Sequence, residues 1–169
     1  VDGYQRSCWN PLAELSIANP HIWGQVAKVS LALVPMQSGD QEFFANHGRD
    51  LLTAVIMHVL LCEPVERQNL IYIRRLITQG DAEVFALIEE ECQNTGADVP
   101  YSDALEALLG YMVQNQAQSG KISGIAQRLL GMAEETRSGV VGTLVEQTGF
   151  LDHHSMEKTL QQSDFSLGD

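Results

Sequence analysis

Apolar residues recur at helical spacing along most of this chain. Phe44, Gly48, Leu51, Leu52, Val55, Val59 and Cys62 stand at i, i+4, i+7, i+8, i+11, i+15 and i+18, one face of a long helix. The other side carries Phe43, Ala54, Met57 and Leu61, so this helix is apolar nearly all round and is expected to be the central one. Asp40 stands where an N-cap belongs, and Pro64 stops the pattern. Ile22, Val26, Val29 and Leu33 form an earlier stripe that ends at Pro35. Leu70, Ile73 and Ile77 form the next, ended by Gly80.

The second half repeats the pattern. Val84, Phe85, Ile88 and Cys92 make a stripe with Asp81 as its expected N-cap and Gly96 as its C′ residue. Leu105, Leu108, Leu109, Met112 and Val113 follow, with Ser102 as the expected cap. Ile122, Ile125, Ala126, Leu129, Leu130 and Ala133 hold helical register, and Val140, Val141, Leu144, Val145, Thr148 and Leu151 do so again after Arg137-Ser138-Gly139. A short last helix is expected near Ser155 to Gln162. No run of β-branched residues alternates with polar ones over strand length. The expectation is an all-α fold, one compact bundle of seven or eight helices spanning residues 1–169.

Composition adds few constraints. Hydrophobic residues are 44% and charged residues 19% of 169 positions, a globular balance with enough chain for one sizeable core. The longest apolar run, Leu51 to Cys62, is shorter than the roughly 20 residues a membrane span needs, so it reads as a buried core helix. The first residues lack the basic and apolar regions of a secretory signal. The chain begins on Val1 rather than methionine and is read as a piece of a larger protein. Cys8, Cys62 and Cys92 are widely spaced, and two of them lie on apolar helical faces. They are expected to be buried free thiols in a reducing cytosol, neither disulfides nor zinc ligands.

Charge is more informative. The formal net charge is −12, from 10 Lys and Arg against 22 Asp and Glu. Asp81, Glu83, Glu89, Glu90, Glu91, Asp98, Asp103 and Glu106 fall in one stretch that contains no Lys or Arg. Such a stretch is either a solvated face or a surface that repels phosphate and attracts cations. These eight are the candidate partner-binding residues.

The motifs of common catalytic sites are absent from the sequence. The segment from Gln118 to Ser123, QSGKIS, fails as a phosphate loop because Asn115 and Ile122 occupy positions that need Gly and Ser or Thr; Lys121 is expected to open a helix instead. No HExxH, CxxC or GxSxG occurs. His153 and His154 are neighbours and point about 100° apart on a helix, so they do not chelate together. His47 and His58 are eleven residues apart, a rise of about 16 Å, too far to share a metal. The residues therefore point to no catalytic, cofactor or metal site in this chain.

The closing segment, RSGVVGTLVEQTGFLDHHSMEKTLQQSDFSL, resembles the end of the all-α domain of type IV secretion coupling proteins, the membrane-anchored hexameric ATPases of conjugation and effector export. The matching elements are Arg137-Ser138-Gly139, Phe150-Leu151-Asp152 and Ser163-Asp164-Phe165. The segment WNPLAEL, Trp9 to Leu15, resembles the family's aromatic-Asn-Pro-Leu lead-in. EFFANHGRDLLTAVIMHVL and PVERQNLIYIRRLI are similar to two of its helices, and NHGRDLL departs from the commoner small-residue version.

The resemblance implies a domain inserted into a RecA-like ATPase, with the ATP and Mg²⁺ sites in the parent chain and none here, so that this piece alone should not hydrolyse ATP. It implies a cytoplasmic domain of a bacterial inner-membrane protein that recognises cargo: secreted protein substrates, relaxase or relaxosome proteins, with DNA a weaker partner. The isolated domain is expected to be a monomer. A direct DNA-binding role around Arg67, Arg74 and Arg75 is the alternative within the same machinery, with Arg74 and Arg75 otherwise two ordinary surface arginines. An unrelated helical adaptor is the alternative outside it. The insertion also predicts that WNPL and SDFSL are spatial neighbours, with VDGY and SDFSLGD leading from and back to the ATPase core. The histidine pair would form a turn between the last two helices, and Phe150 and Phe165 would be core anchors.

Overall fold

The computed structural model describes residues 9–154 together with Met156 and Leu160. Among these residues there are seven α-helices and no strand: α1 (Ile22–Leu33), α2 (Gln41–Cys62), α3 (Leu70–Gln79), α4 (Ala82–Thr95), α5 (Ala104–Val113), α6 (Lys121–Gly131) and α7 (Glu134–Gln147). Short 3-10 turns occupy Val65–Arg67, Gln118–Gly120 and Gly149–Asp152. The fold is all-α, as the stripes predict. Lys121 does open a helix.

α2 is the axis of the bundle, in contact with α1, α3, α6 and α7. Every residue from Leu51 to Leu60 is buried, including Thr53 and His58. The two polar side chains are satisfied locally. The Thr53 hydroxyl lies 2.8 Å from that of Ser30 on α1, and the His58 ring Nδ1 lies 3.0 Å from Asn115 Nδ2. Arg49 on α2 donates to the Val34 carbonyl at 2.8 Å, holding the end of α1 where the chain leaves helical geometry before Pro35. α3, α5 and α6 close the core with Leu70, Ile73, Ile77, Leu108, Leu109, Met112, Ile122 and Leu129, all at most 3% exposed.

The lead-in Trp9 to Leu15 folds as a turn. Asn10 is 6% exposed. Its Oδ1 accepts from the Leu12 N–H at 3.0 Å, and its Nδ2 donates to the Gln68 carbonyl at 2.8 Å, while Leu12 enters the core. This ties the start of the described chain to the loop before α3.

Several expectations change. Asp40 sits at the N-cap of α2 but in helical backbone, without a side-chain bond to the first turn. The cap of α5 is Asp103, which accepts from the Glu106 N–H at 2.8 Å; Ser102 instead donates its own N–H to Glu106 Oε2. α6 ends before Ala133, which is the N-cap residue of α7. Arg137-Ser138-Gly139 lies inside α7 rather than ahead of it. Gly139 has a packing reason: a Cβ there would overlap the Phe44 ring of α2. Thr148 and Leu151 are buried as predicted, but at the end of α7 and in the following 3-10 turn.

Phe150 is 43% exposed and anchors no core; Leu151 beside it, at 3%, takes that role. Cys62 is exposed and Cys92 half-buried, so neither is a buried thiol, although both are free. His153 lies in a bend and His154 is helical. Cys8, Phe165, VDGY and the SDFSL side of the expected terminal pairing lie outside the described residues. So does most of the segment expected as the last helix, of which only Met156 and Leu160 are described, both in helical backbone.

Candidate functional site

The acidic stretch builds α4, the loop after it and the start of α5. α4 differs from every other helix in having no buried residue. Its stripe of Val84, Phe85, Ile88 and Cys92 is half-buried and leans on α5, its main neighbour. Asp81 caps it, accepting from the Val84 N–H at 3.0 Å, and Gly96 ends it in left-handed backbone at φ 70°. The Asp81 N–H donates to the Ala104 carbonyl at 3.0 Å, joining the root of α4 to the root of α5.

The structure divides the eight candidate acids in two. Asp81 and Asp103 are helix caps. Glu83 forms a two-pronged pair with Arg67 at 2.8 and 3.0 Å, which holds its carboxyl below the usual range. Glu106 is held low first by the Ser102 N–H and then by Arg137, with which it forms a close ion pair. These four carboxylates serve the fold. Glu89, Glu90, Glu91 and Asp98 are exposed, and no hydrogen bond or ion pair engages their carboxylates among the described residues. They surround the outer end of α4 with negative charge.

The three arginines of the DNA-binding alternative do not form a basic patch. Arg67 is engaged by Glu63 and Glu83 and stacks over the Tyr72 ring, 5.4 Å from its centroid. Arg74 is not a surface residue: it is 7% exposed. Its guanidinium grips Asp152 at 2.8 and 3.0 Å and donates to Thr148 Oγ1 and the Val145 carbonyl at the end of α7. It thereby clamps α3 to the C-terminal end of α7, where a cation also suits the helix dipole. Only Arg75 of the three is exposed and without an ion pair among the described residues.

One cluster has the residue types of a thiol site: Cys62, His58, Asn115 and Tyr111. Its geometry opposes that chemistry. Asn115 occupies the His58 Nδ1, the nitrogen nearest Cys62, and the sulfur stands 3.8 Å away. Burial lowers His58 to about 4, and burial together with Glu63 raises the Cys62 thiol. A thiol pushed up beside a weak base stays protonated. Among the described residues no group of His, Cys, Asp and Glu is arranged to hold a metal.

Sequence reasoning missed the groove beside the acids. It runs between α4 and α5, encloses about 300 Å³, and is lined by Val84, Leu87 and Ile88 from α4 and Tyr111 from α5. Tyr101 forms part of its lining, its ring lying where a Cβ on Gly110 would be, so that a larger residue at 110 would displace the Tyr101 ring. The signal was Leu87, an apolar residue off the α4 stripe.

The family model for type IV secretory system conjugative DNA transfer matches residues 2–169. The chain belongs to that family. No curated protein and no solved structure matches it. Membership makes this chain a conjugative DNA transfer component of a type IV secretion system, a bacterial membrane-associated machine. Among the described residues of this family member, no helix is long and apolar enough to cross a membrane.

Proposed function

We propose that this chain is the cargo-recognition domain of a type IV secretion coupling ATPase, facing the cytoplasm and catching proteins for delivery to the secretion channel. In this reading it is inserted in a RecA-like ATPase that holds ATP and Mg²⁺, and does no catalysis itself. Its partners are relaxase or relaxosome proteins and secreted protein substrates. The observation that carries the reading is α4: a helix without a buried residue, whose outer end and following loop carry Glu89, Glu90, Glu91 and Asp98, carboxylates that no side chain engages among the described residues. A net charge of −12 disfavours a phosphate backbone as the main ligand.

The test is capture of the system's relaxase and effectors by the chain, with Glu89, Glu90 and Glu91 replaced together by Gln, at low and high salt. Three exposed contacts at a few tenths of a kcal/mol each give about a tenfold loss at low salt. The loss should shrink as salt shortens the screening length below about 8 Å. Equal binding by variant and parent, with equal salt slopes, reduces these acids to a solvated face. Binding to a DNA oligonucleotide but to no transported protein would favour the DNA-binding alternative.

A further inference from the structure

Leu87 and Tyr111 are large side chains left 65% and 40% exposed, and both line the same groove between α4 and α5. On α4 the lining residues Val84, Leu87, Ile88 and Glu91 fall at i, i+3, i+4 and i+7, a single helical face. The apolar members give way to a carboxylate at Glu91 toward the helix C-terminus. Tyr101, seated on Gly110, fixes part of the wall, so the groove is shaped by the α4–α5 packing rather than by loose surface side chains. No Lys or Arg lies between Asp81 and Glu106 to offset the charge at this lip.

We infer that this groove seats a bulky apolar side chain of a transported protein, with a lysine or arginine of the same segment held at Glu91. The inference rests on the reading of the chain as a cargo receptor and names where on it cargo is read. The groove's size suits one or two side chains rather than a whole helix face, and its one-sided charge selects the cation. Acidic or phosphorylated segments are repelled at the same lip. Affinity comes from the apolar contact and orientation from the charge, so the two parts are separable by mutation.

The probe is a fluorescein-labelled twelve-residue peptide of alternating Leu and Arg, compared with one carrying Glu for Arg. Both are titrated by anisotropy against the 169-residue chain. The Arg peptide should bind about tenfold more tightly than the Glu peptide. Leu87→Ala should weaken it about fivefold, and Glu91→Gln by about threefold with a flatter salt dependence. Glu89→Gln, about 200° round the helix from Glu91, should change it little.

Equal binding of the two peptides, or unchanged binding in both Leu87→Ala and Glu91→Gln, overturns the inference. So does a Leu87→Ala variant that alters sedimentation of the unliganded chain, which would make the groove a contact between copies. Capture of transported proteins is measured in parallel. If cargo binds parent and groove variants alike, the groove inference falls and the receptor reading stands. If the Arg peptide binds as expected but no transported protein does, the receptor reading falls and the groove's ligand preference stands.

Discussion

α2 and α4 both carry regular apolar stripes, and the structure uses them in opposite ways. In α2 ten consecutive residues, Leu51 to Leu60, are buried, and neighbouring helices close over every side of that stretch. In α4 no residue is buried, although Val84, Phe85, Ile88 and Cys92 keep helical spacing. The difference lies in what the off-stripe positions hold. α2 fills them with Ala54, Met57 and Leu60; α4 fills them largely with Glu83, Glu89 and Glu90. A helix with a charged back can lean on one neighbour only. α4 is therefore held at its root by the Asp81 cap, by the bond to Ala104 and by the Glu83–Arg67 pair, while its outer end is left to solvent or to a partner.

The sharpest way to break this contrast is to truncate one apolar side chain in each helix. Ile56→Ala, at a site with 0% exposure, should cost about 2–5 kcal/mol in urea unfolding. Leu87→Ala, at 65% exposure, should fall within about 0.5 kcal/mol of the parent. Comparable costs would mean that α4 is part of the core and not a peripheral element.

A second test uses acid. His58 is buried on α2 with Cys62, Tyr111 and Asn115 around it and Asp81 near, and burial lowers it from 6.5 to about 4. Between those values the unfolded chain binds a proton that the folded chain refuses, so stability falls as pH drops through that window. The loss approaches about 3 kcal/mol at its lower edge. His58→Gln removes this component and should flatten the fall in urea midpoint between pH 7 and 4.5. Glu83, Glu106 and Asp152, held low by Arg67, by the Ser102 N–H and by Arg74, contribute to acid loss in both proteins and cancel. Identical pH profiles would mean that His58 is not shielded as α2's burial requires.

The same contrast separates what local sequence could reveal from what it could not. The stripes located all seven helices and made α2 central, because a helix apolar nearly all round has nowhere else to go. Helix starts were harder where no side chain caps: α7 begins at Glu134 behind an uncapped Ala133, six residues before its first buried residue, so Arg137-Ser138-Gly139 read as a break. Near Asp103 two adjacent residues could both cap, and only geometry chose between them. Arg74 had a cue in its spacing, four after Leu70 and three before Ile77. Its partner Asp152 is 78 positions away, which periodicity does not reach. The acidic stretch was visible as charge, but its division into structural and unengaged carboxylates needed Arg67, Arg137 and the caps in place. Depth was invisible too: a stripe says which side of α4 leans on α5, not how little covers it.

The smallest effects test that division directly. Asp81→Ala removes the cap of α4 and should cost about 1 kcal/mol, felt mainly as faster hydrogen exchange in α4, since little else holds that helix. Replacing Glu89, Glu90 and Glu91 together by Gln should move stability by only a few tenths of a kcal/mol, and upward. These neighbours do not face one another along the helix, so their mutual repulsion is modest. They also sit in the second half of α4, whose last turn has no basic residue, where negative charge opposes the helix dipole. The variant should thus be slightly more stable than the parent while binding cargo less well, the pattern of a surface kept for a partner at a small cost to the fold. A variant that unfolds more easily would show that these three carboxylates support α4, and the division between structural acids and docking acids would fail at its centre.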